Sequence, residues 1–207
     1  MKKLIPLLFA LLMSTLLPAA AHAEEAPDAL VRRVTNEVLT IIKNDKELQS
    51  GHMKKVFELV DTKILPYFNF NRMTALAVGQ DWRAATAEQK TRLATEFKIL
   101  LVRTYANALV SYKNQAIDVK PLKMTPGETD VTVRTEVKQV GAQPISLDYS
   151  LQKKDEVWKV YDVVVGGVSL VTNYRDEFKQ TVRQNGIDGL IASLATKNAQ
   201  PEPVVKK

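Results

Sequence analysis

The stretch WKVYDVVVGGVSLVTNYR, residues 158–175, decides the fold. Val157 to Val165 is dense in β-branched and aromatic residues, which suit a pleated, packed surface, so it reads as a strand. Strict alternation puts Trp158, Val160 and Val164 on one face and Tyr161, Val163 and Val165 on the other. A strand apolar on both faces is covered on both, which predicts a central place in its sheet. Gly166-Gly167 breaks the extended run. Beyond it, Leu170, Val171, Tyr174, Phe178 and Val182 recur at helical spacing, so a helix folds back beside the strand.

Upstream of this stretch the period is 2. Ile145, Leu147, Tyr149 and Leu151 alternate with polar residues, as do Val131, Val133, Thr135 and Val137. Each pattern is that of an antiparallel strand with one wet face. Ile117 to Leu122 reads as a further strand, with Pro121 marking an edge or an end. Short polar links join the four, which predicts an antiparallel meander.

Further upstream the period is 3.6. A helix starts near Ala26-Pro27-Asp28, with Asp28 as candidate N-cap and Val31, Val34, Val38, Ile41 and Ile42 as its apolar stripe. A second carries Val56, Leu59, Val60, Ile64 and Leu65 and stops at Pro66. Tyr67, Phe68 and Phe70 form an aromatic cluster in the turn that follows. A short helix over 71–78 ends at Gly79. The longest helix opens on a capping box, Thr86-Ala87-Glu88-Gln89, and keeps Leu93, Phe97, Leu100, Leu101, Tyr105, Ala108, Leu109 and Tyr112 on one face. A last helix opens at Ile187-Asp188-Gly189-Leu190, with Asp188 as its cap. Helices, then a sheet, then closing helices make an α+β domain.

The two ends of the chain lie outside this domain. Lys2-Lys3, the apolar run Leu4 to Leu17 and Ala21-His22-Ala23 form a secretory signal, so residues 1–23 are expected to be cleaved and the mature chain to begin at Glu24. Residues 24–195 form one domain, and 196–207 read as a flexible tail. There is no cysteine, hence neither a disulfide nor a lipid-modified cysteine anchor. No later segment is long and apolar enough to span a bilayer. A soluble periplasmic protein follows, expected to be monomeric. Without Lys2 and Lys3, 27 basic residues face 23 acidic ones, an excess too small and too spread out for nucleic-acid binding.

Residues suited to chemistry are few. His52 is the one histidine of the mature chain and sits in a polar turn, poorly placed for a nucleophilic triad. Zinc sites built on His and Cys are excluded, and no metal or cofactor is expected. Gly166-Gly167 lacks the lysine and spacing of a phosphate-binding loop. Asp148, Tyr149, Tyr161 and Asp162 leave one catalytic alternative open, a small lipid- or isoprenoid-modifying enzyme with an Asp/Tyr pair in an apolar pocket. The apolar stripes around one sheet leave two further readings open, a filled core or a lined cavity.

Several motifs resemble the MlaC (toluene-tolerance) family of periplasmic phospholipid carriers. They are Ile64-Leu65-Pro66-Tyr67-Phe68-Asn69-Phe70-Asn71-Arg72-Met73-Thr74, Leu76-Ala77-Val78-Gly79, Trp82-Arg83, Arg103-Thr104-Tyr105, Asp148-Tyr149, Trp158-Lys159-Val160-Tyr161-Asp162-Val163, Gly167-Val168-Ser169-Leu170 and Gly186-Ile187-Asp188-Gly189-Leu190. Asn69 and Gly166 stand where that family usually has acidic residues. The resemblance implies a nuclear-transport-factor-like cone, a curved four-stranded sheet wrapped by helices around an apolar cavity. It implies a carrier without catalysis that shuttles phospholipid between an inner-membrane ABC-transporter complex and an outer-membrane lipoprotein–porin complex, maintaining outer-membrane lipid asymmetry. Periodicity then nominates the inward faces as lipid-binding: Leu101, Tyr105 and Leu109; Val133, Tyr149, Leu151, Val163 and Val165; Tyr174 and Phe178.

Overall fold

The computed structural model describes residues 25–110, 115–139 and 141–200. The expected signal peptide and most of the expected tail lie outside them, as does Tyr112. Helix α1 spans Pro27–Asn44, α2 Lys46–Gln49, α3 Met53–Leu59, α4 Phe70–Val78, α5 Ala87–Val110 and α6 Arg175–Ala199. The strands are β1 Ala116–Val119, β2 Asp130–Val133, β3 Thr135–Lys138, β4 Ile145–Lys154, β5 Val157–Val165 and β6 Val168–Ser169. Helices and one open antiparallel sheet make up the domain, which is the α+β class expected.

The sheet has six strand segments instead of four. β2 and β3 meet β4 in one unbroken register, Val133 opposite Tyr149 and Glu136 opposite Ser146, so they are a single strand interrupted at Arg134. The cause is local: the Thr135 N–H donates to Asp148 Oδ1 at 3.3 Å and its hydroxyl to the Leu147 carbonyl, so side-chain bonds replace part of the ladder. β6 adds two residues beside Val164 and Val165.

β5 departs from strict alternation. Ser150 pairs with Asp162 while Leu151 pairs with Val160, so Tyr161 is an extra residue, a β-bulge. The bulge reverses the phase halfway along the strand. Trp158, Val160, Val163 and Val165 therefore share the face of Leu147, Tyr149 and Leu151, while Lys159, Asp162 and Val164 lie on the other. The expected division of β5 into two apolar faces is thus corrected: there is one inner face. Nor is the strand central. β4 holds that place, and the free edge of β5 is closed by β6 and by Phe68, with the Asn69 N–H donating to the Val160 carbonyl at 2.8 Å.

Helix signals were partly met. The capping box closes in both directions, Gln89 N–H to Thr86 Oγ1 at 3.1 Å and Thr86 N–H to Gln89 Oε1 at 3.0 Å. α1 instead starts from Ala26 with Pro27 in its first turn and no side-chain cap, and the Asp28 carboxylate accepts from the Leu122 N–H at 3.4 Å. The chain does not leave helix at Pro66. It widens to a π turn over Val60–Ile64 and tightens to a 3₁₀ turn over Leu65–Tyr67. α6 is two helices joined at Gly186, whose φ 69°, ψ −176° is not helical, and it runs through residues 196–199, where a tail was expected.

Three packed clusters result. Leu30 and Val31 of α1 close over the inner face of the sheet at Val119, Val131, Val133, Leu151, Trp158 and Val160. α1, α2, α3 and α5 share a second cluster around Ile42, Leu48 and Val56, while α4, α5 and α6 share a third around Phe97, Phe178 and Leu190.

Candidate functional site

The three clusters do not close fully on one another. Two chambers remain in the seams between them, of about 170 and 240 Å³. The smaller lies between α1 and the sheet, walled by Leu30, Val31, Val34, Thr35, Val38 and Leu39 against Ile117, Leu147, Tyr149 and Val160. The larger lies under α5, walled by Leu101, Val102, Tyr105, Ala106 and Leu109 against Val60, Leu65, Phe70, Met73, Val163 and Leu170. Ile64, Phe68, Leu109 and Tyr149 border both and form the partition.

Local structure explains three of the four. The π turn widens the helix just where Val60 and Ile64 turn toward the chambers. The backbone bond from Asn69 to Val160 pins Phe68 against the sheet edge. Tyr149 stands on the middle strand opposite both Val133 and Val163.

Neither wall carries a charged side chain. The polar atoms there are hydroxyls with partners close by. Burial pushes the Tyr149 phenol up to about 12, countered in part by a hydrogen bond with Thr35 across the smaller chamber. Burial, with the neighbouring Tyr174 hydroxyl, raises Tyr105 likewise to about 12. Tyr67 also lines the smaller chamber; the exposed Arg33 donates from Nη1 to its hydroxyl at 3.3 Å, with its guanidinium 5.5 Å from the ring centre. Apolar walls with neutral, satisfied hydroxyls suit a long hydrocarbon and repel ions.

Of the nominated residues, Leu101, Tyr105, Leu109, Tyr149 and Val163 stand on chamber walls. Val133 and Leu151 do not: both are fully buried in the cluster between α1 and the sheet. Tyr174 and Phe178 pack edge-on or tilted around Phe97, with ring centres 5.3 to 5.5 Å apart, in the cluster of α4, α5 and α6. Val165 is on the inner face but beyond the chambers. The α1 wall and the segment Ile64 to Phe68 were not nominated. Their signal was present, since Thr35 and Leu39 flank the stripe Val31, Val34, Val38 and widen it.

Neither Asp148 nor Asp162 stands on a chamber wall. Asp148 and Asp162 lie on the sheet face opposite Tyr149, and the Tyr161 ring lies 3.6 Å beneath the Arg72 guanidinium, which is bound to Asp130 at 2.7 Å. His52 is exposed at the start of α3. Among the described residues no group of His, Cys, Asp and Glu is placed to hold a metal, and no helix is long and apolar enough to cross a membrane.

A family model described as MlaC protein matches residues 32–196. The chain belongs to the MlaC family. Among the proteins it is similar to, the "Intermembrane phospholipid transport system binding protein MlaC" of Haemophilus influenzae is 27% identical over 204 residues, 97% of this chain and 95% of that one. The "Toluene tolerance protein ttg2D" of Pseudomonas putida is 28% identical over 200 residues, 91% of this chain and 93% of its own. The solved structure of a phospholipid-binding protein from Ralstonia solanacearum, in complex with a phospholipid, is 40% identical with a TM-score of 0.77, covering 84% of this chain and 97% of that one. In this MlaC-family chain the matched span, 32–196, contains most of the walls of both chambers and all four residues of the partition.

Proposed function

We propose that this protein is a phospholipid carrier that encloses acyl chains between the inner face of its sheet and helices α1 and α5, without catalysis. The observation that carries the reading is the pair of adjoining chambers whose walls hold no charge. At about 0.8 kcal/mol per buried methylene, two ordinary acyl chains cost on the order of 20 kcal/mol to expose to water, so both tails need enclosure. Transfer from a bilayer to an equally apolar chamber is nearly neutral, so the carrier needs no nucleotide of its own. A polar headgroup stays outside such walls. The partner-bound setting carried by the resemblance fits this reading: a periplasmic shuttle, released from its signal peptide, between an inner-membrane ABC-transporter complex and an outer-membrane lipoprotein–porin complex. The absence of any acid on the chamber walls speaks against the modifying-enzyme alternative.

The test is direct. Purified protein is extracted with organic solvent and the extract analysed by mass spectrometry, while detergent-stripped protein is offered vesicles. Co-purifying phospholipid, or uptake by the stripped protein, is the expected outcome. A lipid-free preparation that also takes up nothing sinks the proposal.

A further inference from the structure

One end of the sheet gathers exposed apolar side chains on a single face. Two of the four large apolar side chains most exposed among the described residues, Ile145 at 50% and Val168 at 54%, lie there. They share a face. Ile145 pairs with Val137, Val137 with Ile117, Leu147 with Val165 and Val165 with Val168, so all six stand on the inner side of the sheet. Ile117 and Leu147 are also walls of the smaller chamber. The same apolar face therefore holds both the exposed Ile145 and Val168 and two residues of the chamber wall.

The turns at this end carry no charge. Residues 141–147 read GAQPISL and residues 163–174 read VVVGGVSLVTNY, with no Asp, Glu, Lys or Arg in either, in a chain that is 25% charged. The opposite end of the sheet turns through Lys153, Lys154, Asp155 and Glu156. The nearest charges, Lys138, Asp118 and Glu136, alternate with Val137 and Ile117 onto the outer face and pair with one another there. An exposed apolar patch is costly in water, and an inner rim without charges spares hydrocarbon the penalty of crossing them.

We propose that the inner, apolar side of this end is the portal through which an acyl chain of a phospholipid passes between a bilayer and the smaller chamber, with Ile145 and Val168 as its lip. The inference rests on the carrier reading and adds to it the route and the side of the molecule that meets the lipid. A protein surface at this end would gain from charged rim residues to fix register, whereas a hydrocarbon chain needs none.

The test uses detergent-stripped protein and vesicles of phosphatidylethanolamine and phosphatidylglycerol containing a phospholipid with a fluorescent acyl chain. Ile145→Asp and Val168→Asp each slow uptake at least tenfold, with the final amount bound and the thermal midpoint unchanged. Ile145→Gln slows it less. Val157→Asp, at an equally exposed apolar site (48%) on the other face and the other end, leaves the rate unaltered. Uptake by Ile145→Asp and Ile145→Gln at the unaltered rate overturns the portal, as does equal slowing by Val157→Asp. If Ile145→Asp leaves uptake intact but turns a concentration-dependent dimer into a monomer by light scattering, the patch is a contact between two copies and the portal is again overturned. Failure of the unaltered protein to take up lipid overturns the carrier reading itself, a result separable from the others.

Discussion

Asp162 is buried on the outer face of β5 and is held by donors on both sides. The Val163 N–H reaches its Oδ1 at 2.8 Å, and Ser169 and the Val171 amide bond to the same carboxyl. Ser169 Oγ in turn accepts from the Val171 and Thr172 amides at 3.2 and 2.9 Å, so the pair fastens the turn that leads into α6. Burial pushes the Asp162 carboxyl above its ordinary value, and the hydrogen bonds only partly offset this. The sign for stability follows. A carboxyl with a raised folded-state pKa favours folding while it is protonated, below its unfolded value, and that contribution is lost as pH rises through the folded pKa. Asp162→Asn keeps an oxygen for the amides and removes the buried charge. Its thermal midpoint at neutral pH should therefore equal or exceed that of the unaltered protein, and its decline from acid toward neutral pH should be shallower. A large loss of stability at neutral pH would show instead that the charge itself holds the turn.

Among the elements, α6 carries a break whose reason is a single backbone conformation. Gly186 adopts φ 69°, ψ −176°, a region open in practice to glycine alone, although a Cβ there would meet nothing within 4 Å. Gly186→Ala should cost about 1–3 kcal/mol, read as a lower denaturation midpoint at unchanged slope; an unchanged midpoint would mean the helix can straighten. That break was readable, because Gly186 precedes an apolar run with its own helix-start residues. The capping box at Thr86 was readable for the same reason: a local motif has a local cause. The bulge at Tyr161 was not. Alternation counts residues and has no means to mark one as extra, so Val160 and Val163 fell on opposite faces until pairing with Leu151 and Tyr149 put them together. The site was half legible. The helical face of Leu101, Tyr105 and Leu109 reached a chamber because α5 is one unbroken helix over Ala87–Val110. Phe178 and Leu151 were indistinguishable from wall residues, since a packed core and a lined cavity demand the same apolar period.

At the scale of the whole molecule, the two chambers are smaller than the 300–1,000 Å³ usual for pockets that bury a drug-sized ligand. A two-chain lipid needs more room, which the seams between three separate clusters can provide by parting, at less cost than opening one continuous core. Bound hydrocarbon then completes the packing. Lipid-loaded protein should melt at a higher temperature than detergent-stripped protein, and adding phospholipid back should restore the difference; identical midpoints would mean that the walls close on themselves equally well. The bulge bears on a different property, chain length. Because Tyr161 is the extra residue, a polypeptide lacking position 161 would still present Trp158, Val160, Val163 and Val165 to the interior. It would lose the bend of the strand and the ring beneath Arg72, but not the register. β5 is in that sense one residue longer than its packing requires, and this stretch of the sheet can shed a codon and keep its inner surface.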